Sequence, residues 1–195
     1  MKRLFDCVVS FLILSCFLPF GILISLAIAL ESRGGVFYRQ ERIGQFGKPF
    51  RLWKFRTMRK NADQFGKLTV GMRDPRITRV GLFIRKVKLD EFPQFLNVLS
   101  GEMSIVGPRP EVQEYVAEYT AEQRRVLEVK PGITDYASLE YYNENELLGK
   151  SDDPRKTYIE EVMPAKIELN KKYIANPTIG HDLKIMWMTF LKIIN

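Results

Sequence analysis

The chain has 195 residues and carries a formal net charge of +7 at pH 7. This length suffices for one domain with a real core. The excess of positive charge favours a partner that carries phosphates, such as an anionic membrane, a nucleotide, a lipid phosphate or nucleic acid. With two cysteines and one histidine, the composition argues against a disulfide scaffold and against a zinc site.

The first predicted element is an apolar run at 4–30, in which Asp6 is the single charged residue. At roughly 20 residues per membrane span, this run is long enough to cross a bilayer. A cleaved signal peptide fits poorly, because the run exceeds a usual apolar core and residues 31–33 lack the small-residue cleavage pattern.

Pro19 lies near the middle of this run. A proline inside a helix removes a hydrogen bond and introduces a kink, so we expect two helical arms, at 4–18 and 20–30. Basic residues flank both ends of the run, and positive charge marks the cytoplasmic side of a membrane. This pattern fits a re-entrant helix that returns to the same face, with a membrane-spanning helix as the alternative. The flanking charges are Lys2, Arg3, Arg33, Arg39 and Arg42.

The next elements are short. Residues 36–40 and 50–55 are β-rich, and the basic stretch 44–49 between them predicts a β-hairpin with a long turn. Residues 61–73 are polar and predict a loop or a short helix, whereas 77–88 is basic and amphipathic and predicts a helix.

A helix start is predicted at 88–93 (KLDEFP). Asp90 suits the N-cap position, and Pro93 is tolerated in a first turn. Apolar residues then recur at helical spacing until Gly101, which ends the helix.

Three more helices are predicted, at 111–129, at 153–173 with a potential break at Pro164, and at 183–194. The last one carries lysines among bulky apolar residues. It fits a core helix, or equally an interfacial helix that lies in the lipid headgroup region. The elements together predict an α+β fold that is mostly helical, with one small β-hairpin and amphipathic interfacial helices.

Asp90 and Glu91 form an acidic pair in a basic neighbourhood that includes Arg85, Lys86 and Lys88. Such a pair is ordinarily a surface helix start whose charges balance. Here a helix N-terminus could bind phosphate, and its dipole would lower the pKa of a nearby carboxylate and keep it ionised. An ionised carboxylate beside a neutralised phosphate is a competent nucleophile. A neighbouring carboxylate can hold Mg²⁺, and arginines can clamp phosphate oxygens.

The second cluster is 107–110 (GPRP). Two prolines stiffen the backbone around Arg109. The cluster is either a rigid connector between helices or a phosphate-binding arginine that loses little entropy when it binds.

Two further basic clusters are candidates for phosphate or nucleotide binding. The stretch 54–58 (KFRTM) contains Lys54 and Arg56, and it is either a strand edge near a membrane or part of the substrate site. The stretch 130–134 (KPGIT) is most simply a turn, but it also places Lys130 on a stiff loop.

These clusters, in this order, resemble those of the bacterial sugar transferase family, the monotopic phosphoglycosyl transferases. The matching stretches are 54–58 (KFRTM), 89–97 (LDEFPQFLN), 101–110 (GEMSIVGPRP) and 129–134 (VKPGIT). The opening at 2–6 (KRLFD), followed by an apolar run, is also similar. The similarity extends over nearly the whole chain.

The resemblance implies a membrane-embedded, re-entrant helix at 1–33 that is broken at Pro19. It also implies a catalytic domain at 34–195 on the cytoplasmic face of the bacterial inner membrane, in contact with membrane lipids. The partners would be a UDP-sugar donor and the acceptor undecaprenyl phosphate, with no nucleic acid.

The family resemblance also implies a ping-pong reaction. Asp90 would attack the β-phosphate of the donor, release UMP and pass the covalent phosphosugar to undecaprenyl phosphate. Glu91 would be a Mg²⁺ ligand, and Arg85 and Arg109 would contact phosphate or nucleotide.

The sequence departs from the family pattern in two places. Leu18 precedes Pro19 where many members have serine, so a polar partner for freed backbone groups is missing. Residues 135–138 read DYAS where many members read GWAQ, which leaves the donor sugar open.

The sequence leaves two rival functions to be weighed against this one. A glycosyltransferase that moves the sugar alone would release UDP, but its usual α/β sheet has no counterpart in the predicted elements. A basic membrane adaptor would explain the charge and the apolar run, although it would not explain the acidic pair beside a rigid arginine turn.

Overall fold

The computed structural model describes residues 1–60, 62 and 74–194. The stretch 61–73, predicted to be a loop or a short helix, therefore lies outside the described residues except for Ala62.

The first half of the described chain contains a long helix, a hairpin, two shorter helices and a short strand. These elements are α1 (Lys2–Glu31), β1 (Phe37–Ile43), β2 (Pro49–Phe55), α2 (Arg79–Lys86), α3 (Gln94–Ser100) and β3 (Ser104–Val106). The second half adds one strand and six helices in the described part: α4 (Gln113–Ala117), β4 (Gly132–Thr134), α5 (Tyr136–Glu140), α6 (Glu144–Gly149), α7 (Pro154–Thr157), α8 (Met163–Ala175) and α9 (Ile179–Ile194). The predicted fold is confirmed in its coarse form, since the protein is mostly helical with small sheets.

The predicted β-hairpin is confirmed. Strands β1 and β2 are antiparallel, with Phe37 opposite Phe55 and Ile43 opposite Pro49. Leu52 of β2 is buried in a core that includes Val98 of α3. This packing fixes the hairpin against the helix that follows the acidic pair.

A second sheet was not predicted from the sequence. Strands β3 and β4 pair in parallel, with Ser104 opposite Gly132 and Val106 opposite Thr134. A Cβ atom added to Gly132 would lie 2.1 Å from the backbone nitrogen of Gly107, so only glycine allows this close approach. The pairing brings the clusters 107–110 and 130–134 side by side.

Helix α1 runs without a break across Pro19. The arms predicted at 4–18 and 20–30 are joined in this one helix, because a proline removes a single hydrogen bond and the neighbouring turns can retain theirs. The kink at Pro19 stays a prediction. The helix is long and apolar enough to cross a membrane, judged by length and composition.

Both ends of α1 are attached to the rest of the protein. Near its start, Lys2 Nζ lies 2.5 Å from Asp182 Oδ2 of α9, and the buried Asp6 accepts a hydrogen bond from Ser104 Oγ at 2.8 Å. At its end, Glu31 accepts hydrogen bonds from the backbone N–H groups of Arg79 and Val80 at 2.6 and 2.9 Å. The helix is therefore held at both ends by one globular body.

Helix α9 has two different faces. Ile185 is fully buried in the core, whereas Trp187 and Phe190 are more than half exposed. Helix α1 likewise exposes Phe11 and Leu23. Exposed apolar surface of this extent marks an interaction surface. Both α1 and α9 expose such apolar side chains.

Two other helix predictions are corrected. The stretch 111–129 is not one helix but α4 followed by a 3₁₀ segment at Gln123–Glu128. The stretch 153–173 is not broken at Pro164, because a π-helical turn at Tyr158–Val162 joins α7 to α8 and Pro164 lies in the first turn of α8, where its missing N–H is tolerated.

Candidate active site

Asp90 and Glu91 lie on a 3₁₀ turn, Leu89–Glu91, between α2 and α3. The N-cap assignment of Asp90 is wrong, because α3 begins at Gln94 and Pro93 occupies its N-cap position. Lys88 precedes the turn in the left-handed conformation, with φ 56° and ψ 18°. Backbone strain of this kind, about 1 kcal/mol or more, tends to concentrate at functional sites.

Glu91 is held by two cations. Its Oε1 lies 2.8 Å from Lys54 Nζ and 2.5 Å from Arg109 Nη2, and its Oε2 accepts from Arg109 Nη1 at 3.3 Å. Burial opposes the ionised form of Glu91. The charges and hydrogen bonds of Arg109 and Lys54 outweigh burial and hold the pKa of Glu91 well below its usual value. Glu91 is therefore the ionised centre of the site.

The pKa of Asp90 is shifted in the opposite direction from that of Glu91. It is 7% exposed, and burial raises its pKa, although the charges of Lys54 and Arg85 act in the other direction. The expectation that a helix dipole lowers this pKa is wrong, because Asp90 is removed from water and the 3₁₀ turn is too short to supply a helix dipole. Asp90 is thus a buried carboxylate whose ionisation depends on the cations around it.

Arg85 approaches the pair from the last turn of α2. Its Nε donates to Thr57 Oγ1 at 2.8 Å, and its charge acts on both Asp90 and Glu91. The cluster 54–58 therefore contributes through Lys54 and Thr57.

Arg109 is positioned by its own backbone. Its N–H donates to Asp135 Oδ2 at 3.1 Å. Asp135 is fully buried and also caps α5 by accepting from Ser138 N at 2.6 Å. The cluster 107–110 is therefore joined, at the arginine that contacts Glu91, to Asp135, the residue that directly follows the cluster 130–134.

Three residues singled out from the sequence lie apart from this group. Arg56 donates to the carbonyl oxygens of Ser32 and Arg33, both at 2.8 Å, and so anchors the end of α1. Lys130 lies beside Gly101 at the C-terminal end of α3, and Pro19 lies within α1. The structure joins Asp90, Glu91, Arg85, Arg109 and Lys54 into one group.

A cavity of about 470 Å³ lies against this group. Glu91 and Arg109 form part of its wall, and most of the other lining side chains are apolar. Further polar residues line the cavity. The sequence points to one of them beside the acidic pair and to lysines on the last helix, but no sequence pattern indicates the others. The further polar residues include Lys88, Tyr142, Glu144, Lys166 and Lys192.

The substitution Glu91→Ala tests how the site is held together. It would leave Lys54 and Arg109 largely buried without their carboxylate, so we expect a loss of about 3 kcal/mol in the free energy of unfolding. Thermal unfolding in detergent, followed by tryptophan fluorescence, measures the change.

The matched control is Glu114→Ala. Glu114 pairs with Arg155 at 3.0 Å, but both side chains are about half exposed, so its loss should cost less than about 1 kcal/mol. Equal effects of the two substitutions would contradict the structural role assigned to Glu91.

The chain is similar to known proteins over nearly its whole length. Over 199 residues the chain is 38% identical to the UDP-glucose:undecaprenyl-phosphate glucose-1-phosphate transferase of Escherichia coli (strain K12), with 98% of this chain and 40% of that protein aligned. It is 35% identical to the UDP-N-acetylgalactosamine-undecaprenyl-phosphate N-acetylgalactosaminephosphotransferase of Aeromonas hydrophila, with 100% and 44% aligned. The chain thus spans less than half the length of these two relatives.

A relative of similar length is also present. The protein named Uncharacterized sugar transferase EpsL of Bacillus subtilis (strain 168) is 37% identical, with 100% of this chain and 87% of that protein aligned. A sequence model of the family described as bacterial sugar transferase matches residues 1–195. The chain therefore belongs to the bacterial sugar transferase family.

Proposed function

We propose that the chain transfers a sugar 1-phosphate from a UDP-sugar to undecaprenyl phosphate, with Asp90 as nucleophile, at the cytoplasmic face of the bacterial cell membrane. The main supporting observation is the buried Asp90 carboxylate beside Glu91, which Lys54 and Arg109 hold ionised. The names of the aligned relatives agree with this reaction class and include both a glucose and an N-acetylgalactosamine enzyme.

In the first step, an Asp90 carboxylate oxygen attacks the β-phosphorus of the donor. The bond between that phosphorus and the bridging oxygen breaks, and UMP leaves with the oxygen and the electron pair. In the second step, a phosphate oxygen of the acceptor attacks the same phosphorus. The bond to Asp90 breaks, the carboxylate is regenerated, and the product is a polyprenyl diphosphate sugar.

The cations around the pair suit both steps. Arg85 and Lys54 lower the pKa of Asp90 against the effect of burial, and this favours the ionised nucleophile. Arg109 lines the cavity, and its fork-shaped guanidinium can bind phosphate oxygens. Negative charge that develops on the leaving phosphate would be stabilised by these fixed cations.

The residues also fit the predicted Mg²⁺. The pKa of Glu91 is well below its usual value, and among the described residues its Oε2 accepts a single hydrogen bond, at 3.3 Å, which leaves lone pairs for a metal. The described residues contain no cluster of three acidic, cysteine or histidine side chains. This suits an ion that binds through one or two carboxylates together with substrate phosphates. Bound there, Mg²⁺ would neutralise phosphate charge.

The attachment of α1 supports the re-entrant topology. A straight helix that crosses a bilayer places its ends about 30 Å or more apart, on opposite sides. Here the Lys2–Asp182 pair and the Glu31 contacts join both ends of α1 to one globular body. The middle is attached as well, since the rings of Phe17 and Phe92 stack at 4.1 Å. A body that contacts α1 along its length lies on, or partly in, one face of the membrane.

The first test is product analysis. Purified protein in detergent with Mg²⁺, undecaprenyl phosphate and a panel of UDP-sugars should release UMP with at least one donor. Asp90→Asn should reduce this release by about a thousandfold or more, because the nucleophile is lost. The exposed Asp152→Asn is the matched control and should retain full activity. Release of UDP would indicate simple glycosyl transfer, and release of neither product by folded protein would favour an adaptor.

A pH profile tests the state of Asp90. Asp90 must be ionised to attack, and burial raises its pKa. The acid limb of kcat/KM for the donor should therefore have its midpoint above 3.8, the ordinary value for aspartate. Lys54→Met should move the limb to still higher pH, because the Lys54 charge lowers this pKa. A limb at or below the ordinary value, or a shift to lower pH in the variant, would contradict the assignment.

Cysteine labelling tests the topology. In a Cys7→Ser, Cys16→Ser background, one cysteine is placed in a short extension before Met1 and another at Gly35, where an added Cβ meets only the Phe37 carbonyl oxygen, at an ordinary contact distance of 3.7 Å. Asp152→Cys, on the exposed surface of the globular body, reports the side on which that body lies. We expect a membrane-impermeant reagent to label all three from the same side. Labelling of the N-terminal site from the opposite side would establish a spanning helix.

A further inference from the structure

Two lysines approach one aromatic ring at the edge of the cavity. Lys88 Nζ lies 5.0 Å from the centre of the Tyr142 ring, and Lys192 Nζ lies 5.6 Å from it. All three residues line the cavity. Lys88 comes from the turn before Asp90, whereas Lys192 comes from the last turn of α9. The tertiary structure thus brings together two ammonium groups from distant parts of the chain.

Neither ammonium group is neutralised within the described part of the protein. Among those residues, no carboxylate lies within 4.0 Å of Lys88 or Lys192. By contrast, Lys166 in the same cavity is paired with Glu144 at 2.8 Å. Two unpaired cations beside an aromatic ring are suited to an anionic group of the ligand.

The rest of the cavity suits a hydrocarbon. Its walls include Ile13 of α1, Phe95 of α3, and Met186, Phe190 and Ile193 of α9. Phe190 is 53% exposed although it lines the cavity, so the cavity reaches the protein surface along α9. That surface is the apolar one that α1 and α9 expose. An apolar chain could therefore enter from a membrane and pass into the cavity without meeting water.

We propose that Lys88, Lys192 and Tyr142 form the acceptor subsite. The two ammonium groups hold the phosphate of an isoprenoid phosphate, and the apolar wall holds the first part of its hydrocarbon chain. This inference rests on the proposed function and assigns a place to its second substrate. Burial of apolar surface binds the hydrocarbon chain, while the lysines set the position of the phosphate.

The position of Lys88 connects this subsite to the reaction. Lys88 lies two residues before Asp90, and its charge acts on that carboxylate. Lys88 lines the same cavity as Glu91 and Tyr142, and its ammonium group faces the Tyr142 ring. A phosphate bound to Lys88 is therefore close to the phosphorus that Asp90 would carry after the first step. The lysine also neutralises phosphate charge that would otherwise repel the phosphosugar.

The test separates the two half-reactions. In the first, enzyme and UDP-sugar without acceptor release one equivalent of UMP in a burst. In the second, steady-state turnover is measured against undecaprenyl phosphate at a fixed detergent concentration. For Lys192→Ala we expect an unchanged burst and an unchanged KM for the donor, with a rise of about tenfold or more in the KM for undecaprenyl phosphate, the size expected for a charge-assisted hydrogen bond. Lys192→Arg should restore most of the affinity.

Lys184→Ala is the matched control. Lys184 lies on the same helix and is exposed, but it does not line the cavity. An equal rise in acceptor KM for both variants would mean that α9 lysines act only through general attraction to anionic surfaces, and the subsite would be rejected. A rise in donor KM with an unchanged acceptor KM would instead place the donor diphosphate there and would also overturn the proposal.

Failure of this inference can be told from failure of the proposed function. If the unmodified protein forms no UMP burst with any donor, the proposed reaction is wrong. If it turns over normally and Lys192→Ala leaves both KM values unchanged, only the acceptor subsite is wrong. Lys88→Gln provides a second variant on a different element, and it should raise the acceptor KM in the same direction.

Discussion

The ion-paired Glu91 is the contact on which the arrangement of the site depends. Its carboxylate joins Lys54 of β2 to Arg109, which follows β3, through a turn that belongs to neither strand. A partly buried carboxylate between two cations is stabilised only while both remain in place. The Glu91 contact therefore fixes the hairpin, the 3₁₀ turn and the Gly107–Pro110 loop relative to one another. Asp90 lies on the same turn, so the same contacts position it.

This arrangement explains why two adjacent carboxylates can have different roles. Glu91 is held ionised by its two cations, whereas burial raises the pKa of Asp90. Groups whose environments move their pKa values apart are typical of active sites. In the proposed reaction, Asp90 is the reacting group, and Glu91 organises the charges around it.

Helix α1 is attached to the same globular body. The contacts of Lys2 and Asp6 attach the start of α1 to α9 and β3, while Glu31 and Arg56 attach its end to α2 and the hairpin. The apolar cavity then lies between the Leu89–Glu91 turn and helices α1 and α9. The proposed reaction joins a water-soluble donor to a lipid acceptor, and such a boundary position suits it because the two substrates prefer different solvents.

The sequence by itself determined the apolar helix, the hairpin, the acidic pair and the family, because these depend on local composition, spacing and motif order. Only the tertiary structure decided the β3–β4 pairing, the use of Arg56 as an anchor for α1 and the raised pKa of Asp90. The β3–β4 pairing joins segments about 28 residues apart, and short parallel strands carry little local signal. The charge state of Asp90 depends on burial and on cations from several elements, and this is a property of the folded neighbourhood.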